Sequence, residues 1–140
     1  MVSGTADNPY GINSAEDLKR LAEVVNAGNE FAGKFFVLTA DIRLSGNWTP
    51  IGYFNSSDDQ KPFNGTFDGQ GHTIKNLTIE NRSINCQGLF GFVGENGTIK
   101  KLNLSNVNIS GNDSVGGLVG DNRGTVENCT VNNATVNGKS

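Results

Sequence analysis

The chain repeats itself. Residues 91–99 read GFVGENGTI and residues 117–126 read GLVGDNRGTV, the same string with Arg123 as a one-residue insertion. The match continues downstream, where Ile99-x-x-Leu102-x-Leu104 parallels Val126-x-x-Cys129-x-Val131 at an offset of about 27 residues. Ile74-x-x-Leu77-x-Ile79 repeats the pattern about 25 residues upstream, and Ile42-x-Leu44 within FFVLTADIRL gives a fourth, more divergent copy. Asn81, Asn106 and Asn133 fall two residues beyond the last apolar position of each copy.

Apolar residues alternate over short runs in each copy, and Asn or Gly breaks the runs. Alternation marks a half-buried strand, while Asn and Gly tolerate the positive φ of a sharp bend. Copies this short cannot close a core alone and must stack on one another. The pattern therefore predicts an all-β chain, a right-handed parallel β-helix (solenoid) of about four short coils. Handedness follows from the rule for parallel connections. The coils fall at residues 35–45, 66–81, 98–111 and 125–138, with inward Ile, Leu and Val forming ladders, and four coils stand about 20 Å tall. The three asparagines fit either an internal amide ladder between coils or a row of solvated turn residues.

One helix precedes the coils, over residues 14–27. Ser14 is its N-cap, Glu16 and Asp17 face the helix dipole in the first turn, and Gly28 is the C′ glycine. Leu18, Leu21, Ala22 and Val25 share one face, which suits a helix that covers the open apolar end of a solenoid. No equivalent helix follows the last copy. The expected partners at that end are neighbouring repeats of a longer parent chain, so the chain reads as one domain over residues 1–140 and as an N-terminal fragment of a repeat protein. The start, MVSGTADNPYG, shows no signal peptide, which is consistent with such a fragment.

Charge and cysteines narrow the function classes. A net charge of −3 with scattered Lys and Arg argues against a nucleic-acid groove, and no apolar run is long enough for membrane insertion. Cys86 and Cys129 are too few for a disulfide scaffold and do not have zinc-ligand spacing, so Cys129 reads as a small hydrophobe in a Leu register.

GLFG at residues 88–91 and GGLVGDNRGTVENCTV at residues 116–131 resemble the GLUG-motif repeats of bacterial surface proteins. The upstream DIRLSGNWTPIG and PFNGTFDGQGHTIKNLTI resemble the segment that leads into such repeats, so the resemblance runs from about Tyr10 to Gly138. GLUG repeats occur in adhesin-like proteins and in the non-catalytic regions of immunoglobulin A1 proteases. The resemblance implies an extracellular or cell-surface module of β-helix fold and brings no catalytic residues with it.

The residues themselves point the same way. Glu95 and Asp121 align across the two GxVG copies, and carboxylates on adjacent coils would lie about 5 Å apart, but repetition accounts for that pairing. His72 is the only histidine and has no nucleophile in a triad spacing, and Asp68 sits in an Asp-Gly-x-Gly turn. No phosphate-binding loop, zinc-protease helix or calcium nonapeptide occurs, so the expectation is no enzyme, no cofactor and no metal. The remaining feature is residues 46–65, GNWTPIGYFNSSDDQKPFNG, which interrupt the repeat as a loop excursion. Trp48, Tyr53 and Phe54 beside Asp58 and Asp59 have the composition of a sugar platform, although Trp48 within WTPIG fits packing beneath the loop or against the cap helix better, which leaves Tyr53, Phe54 and the two acids as the better exposed candidates. The function read from the sequence is a non-catalytic structural or adhesive module that contacts a glycan or an extracellular protein. The alternative is an accessory domain that positions substrate for a secreted peptidase or a polysaccharide-degrading enzyme.

Overall fold

A computed structural model describes residues 4–81 and 83–138. The chain is mostly strand, with a single helix among the described residues, and winds as a β-solenoid of about four turns. Strand β1 (Tyr10–Ile12) leads into helix α1 (Ala15–Asn26). The first coils contain β2 (Phe35–Leu38), β3 (Ile42–Arg43), β4 (Tyr53–Ser56) and β5 (Asp59–Lys61). β6 (Thr66–Asp68), β7 (Thr73–Glu80), β8 (Phe90–Val93), β9 (Thr98–Lys100) and β10 (Asn103–Ser110) follow. The last coil holds β11 (Val119–Asn122), β12 (Thr125–Glu127) and β13 (Thr130–Asn137).

Local chemistry sets both ends of α1. The Ser14 hydroxyl accepts the Asp17 N–H at 3.2 Å, and the Asp17 carboxylate accepts the Asn13 N–H at 3.2 Å. At the other end Gly28 takes φ +119, and the N–H groups of Gly28 and Asn29 donate to Val25 and Val24, which satisfies two terminal carbonyls. Leu18, Leu21, Ala22 and Val25 are buried in the same core as the strands. Ser14→Ala leaves the Asp17 N–H without its cap and is expected to cost about 1 kcal/mol. Urea denaturation should show a lower midpoint at unchanged slope.

All sheets of the solenoid are parallel. One face runs β1-β2-β6-β9-β12 and a second runs β13-β10-β7-β3, while β8 and β11 form a third, shorter face. In-register pairing builds the inward ladders. Phe36, Phe67, Ile99 and Val126 form one column, and Ile42, Ile74, Leu104 and Val131 form another. Phe67, Ile74, Ile99 and Leu104 are fully buried, whereas in the last coil Val126, Val131 and Val136 are 38%, 40% and 39% exposed. The core thus opens toward the C-terminal coil.

The register differs from the sequence alignment in three places. Leu104, not Ile99, pairs with Ile74, and Ile99 stacks on Phe67. The coil at residues 98–111 carries the same apolar spacing twice, at Ile99/Leu102/Leu104 and again at Leu104/Val107/Ile109, so a string match fits either face. The asparagine row is Asn76, Asn106 and Asn133, all at φ between +53 and +64, and Asn81 lies past the end of β7. Asn106 Nδ2 donates to Asn76 Oδ1 at 3.3 Å, and Asn106 and Asn133 face solvent, so the row is an external bend.

The third difference concerns the glycine motif. Phe90 pairs with Val119, and the Leu89 and Phe90 N–H groups donate to Gly117 and Leu118, which stacks GLFG on GLVG. Arg123 is therefore no insertion. The extra length lies in the turn at residues 94–97, opposite the two-residue turn at 123–124.

The excursion is also shorter than residues 46–65. Trp48 N–H donates to Thr78 O, Ile51 N–H to Leu89 O and Phe63 N–H to Phe92 O, so the flanks are rungs of the solenoid. Only β4 and β5 protrude, as an antiparallel hairpin with a bulge between Phe54 and Ser56.

Candidate functional site

The hairpin stands on a built base. Gly52 takes φ +83 and donates its N–H to Asn26 Oδ1 at 2.9 Å, while Asn26 Nδ2 donates to Pro50 O at 3.0 Å. The last helical residue of α1 thus fixes where the hairpin leaves the rung. On the opposite side the Phe54 ring meets Phe92 edge-on at 5.3 Å. The Arg123 guanidinium lies 5.1 Å from the Phe54 centroid and 5.0 Å from that of Phe92. Arg123 Nη2 also pairs with Asp121 Oδ2 at 3.5 Å. A cation over two rings is worth about 0.5–1 kcal/mol at an exposed site, enough to hold the hairpin against the next coil.

The five residues expected at a sugar platform do not form one surface. Trp48 is 8% exposed and its indole N–H donates to Leu89 O at 3.0 Å. A buried, satisfied indole offers no face for stacking, because the first rung needs its bulk as core. Phe54 is half-buried beneath Arg123, and Asp58 is exposed at the hairpin turn. Asp59 accepts Asn55 Nδ2 at 3.1 Å and bonds the Tyr53 hydroxyl. Partial burial first, and then the hydrogen bond and charge of Asp59, push the Tyr53 phenol above its ordinary value. Asp59→Asn is expected to bring the Tyr53 titration back down, read as ionisation absorbance against the wild type.

Beside the hairpin lies a groove of about 260 Å³ lined by Gln60, Pro62, Asn64, Phe92, Asn96 and Arg123. Buried Asn64 spans its floor, donating Nδ2 to Glu30 Oε1 at 2.8 Å and accepting the Asn96 N–H at 3.1 Å. Amides, one guanidinium and the Glu95 carboxylate line this groove, groups that bond hydroxyls, while Phe92 at its floor is buried and offers no face for stacking. No local signal marks Asn26 or Arg123, since their partners Gly52 and Phe54 lie 26 and 69 positions away.

The other polar candidates hold turns. Asp121 pairs in register with Phe92, while Glu95 lies in the longer turn, so the two carboxylates are not equivalent positions. Asp68 Oδ1 accepts the Gln70 N–H at 2.9 Å. Asp41 Oδ1 accepts the Thr73 N–H at 2.9 Å and contacts His72 Nδ1 at 3.1 Å. The Thr73 N–H, and after it His72, hold the Asp41 carboxyl below its ordinary value. This contribution is present above the ordinary carboxylate pKa and is lost as pH falls through the lowered one. Among the described residues, no three His, Cys, Asp or Glu side chains converge on one point. Both cysteines are free, Cys86 buried and Cys129 partly so, and burial pushes both thiols up. No helix among the described residues is long and apolar enough to cross a membrane.

No family model and no solved structure matches the chain. Halomucin of Haloquadratum walsbyi is 38% identical over 144 residues, which cover 97% of this chain and 2% of halomucin. A protein of Evansella cellulosilytica named as a Gly-rich membrane protein is 33% identical over 138 residues, covering 91% of this chain and 15% of that protein. The chain therefore spans a small part of the length of either relative.

Proposed function

We propose that this chain is a non-catalytic β-solenoid module of a longer secreted or cell-surface protein, of the GLUG-repeat type. In this reading the solenoid is right-handed and α1 is its N-terminal cap. Further coils cover the other end, and the hairpin groove contacts an extracellular glycan or protein. The carrying observation is the last coil. Val126, Val131 and Val136 occupy inward ladder positions, yet are about two-fifths exposed on free strand edges, a surface fitted to another coil of the same spacing. Support for a surface location comes from the relatives, which are far longer than this chain and are named halomucin and a membrane protein. Support for the cap comes from the four apolar residues of α1 packed into the solenoid core. Handedness rests on the general rule for parallel crossovers.

The contact role is tested on an array of glycans and matrix proteins, with the wild-type chain beside Gln60→Ala/Asn96→Ala. Gln60 is half-buried and Asn96 exposed, and the Asn96 backbone bond to Asn64 survives the change. Binding that the double variant loses supports the groove. Equal binding by both moves the contact elsewhere, and silence from both leaves the structural role alone.

A further inference from the structure

N-linked glycosylation requires Asn-x-Ser/Thr with x other than Pro, and this chain carries eleven such triplets. Twenty Asn placed at random ahead of twenty Ser and Thr in 140 residues would give about three. Part of the excess has a structural origin. In Asn76-Leu77-Thr78 and Asn133-Ala134-Thr135 an outward or bend Asn precedes an inward residue and an outward Thr, as strand alternation dictates. Alternation does not account for triplets in turns and loops, such as those at Asn81, Asn96 and Asn112.

Geometry divides the eleven. At Asn47, Asn81, Asn96, Asn108, Asn128 and Asn133 the residue is exposed and the side-chain nitrogen donates no hydrogen bond among the described residues. The other five are engaged. Asn64 is buried with both ends of its amide bonded, Asn103 donates to Gly71 O, Asn112 to Asn85 and Asn55 to Asp59, while half-buried Asn76 accepts from Asn106.

We propose that the outer surface of this solenoid is N-glycosylated at these six asparagines, which are exposed and donate no side-chain hydrogen bond, and bare at the five engaged ones. The donor is a lipid-linked oligosaccharide activated as a phosphate ester, delivered by a membrane-bound transferase. Asn Nδ2 bonds to the anomeric carbon, the carbon–oxygen bond to phosphate breaks, and the phosphate leaves with that electron pair on its lipid. The amide gives up one proton to the transferase base. Glycans at these six sites project from the sides and turns of the coils and leave the inward ladders untouched; the one at Asn96 stands in the hairpin groove, so the groove takes another ligand only where Asn96 is unmodified.

This inference rests on the surface location proposed above, so the two are tested on one preparation. Intact cells that produce the native parent protein are labelled with a membrane-impermeant biotin reagent. The protein is then purified and its glycopeptides sequenced by fragmentation that keeps the glycan on its residue. The expected result is labelled protein with whole-monosaccharide mass increments at exposed sites such as Asn96, Asn108 and Asn128, and none at Asn64, Asn103 or Asn112. In producing cells, Thr98→Val and Thr130→Val should each remove the increment at Asn96 and Asn128 respectively, and Thr98→Ser should retain it at Asn96. Surface-labelled protein with unmodified exposed asparagines overturns glycosylation alone, as does a deamidation-sized shift only or equal occupancy of Asn64. Protein that labels only after lysis and carries no glycan overturns both readings.

Discussion

Phe90→Ala is expected to remove about 3–5 kcal/mol of stability, a large share of the roughly 5–15 kcal/mol that holds a domain together. Phe90 has no exposed surface, and its ring centroid lies 5.3 Å from Phe63 and 5.4 Å from Phe67. It therefore joins the rung that carries the hairpin to the next rung and to the face that contains β6. Truncation would leave a cavity that rigid strands on either side cannot close, and rotation of the neighbouring rings relieves only part of it. Phe90→Leu keeps most of the volume and should cost much less. Equilibrium urea denaturation of both variants measures the difference, and near-equal midpoints would mean that this layer is not the packed centre.

Gly91→Ala is the second large effect. A Cβ there would overlap Gly52 O on the preceding rung and lie 2.6 Å from Cys86 O earlier on the same coil, both backbone atoms. Neither atom can swing aside as a side-chain tip would, so the strands must separate. The expected cost is about 3 kcal/mol, the upper end of the overpacking range. This close approach accounts for the last glycine of GLFG, a requirement for room rather than for a positive φ. Gly11→Ala is the control. Its Cβ meets only Thr39 Cγ2, at 3.8 Å, and thermal unfolding should barely move.

The repeat made the kind of fold legible because alternation, bends and helix periodicity are local. Ser14, Gly28 and the Leu18–Leu21–Ala22–Val25 face can each be read within a few residues, and they form the helix end, the helix stop and the buried stripe. Register was not legible. The apolar spacing recurs on two faces of the coil at residues 98–111, so Ile99 aligns with Ile74 as text while stacking on Phe67 in space. The GxVG strings misaligned for a related reason. GFVG overlaps GLFG by one glycine, and only the backbone bonds from Leu89 and Phe90 choose between them.

The candidate site was harder to read than the fold. WTPIG sets Trp48 apart as a residue that packs beneath the loop, but its place in the first rung rests on a backbone bond to Thr78 that no local signal announces. Tyr53 to Lys61 forms an antiparallel hairpin whose bulge breaks the two-residue period, which hides it from pattern reading. The Arg123 contact to Phe54 and Phe92 joins side chains from different coils, and no local signal announces it.

Labelling of intact producing cells with a membrane-impermeant reagent, followed by brief protease treatment before and after lysis, tests the central claim most directly. A module of a surface protein is expected to label, and the parent chain to be cut, while the cells are still closed. Labelling and cleavage that appear only after lysis would contradict the claim and place this solenoid inside the cell.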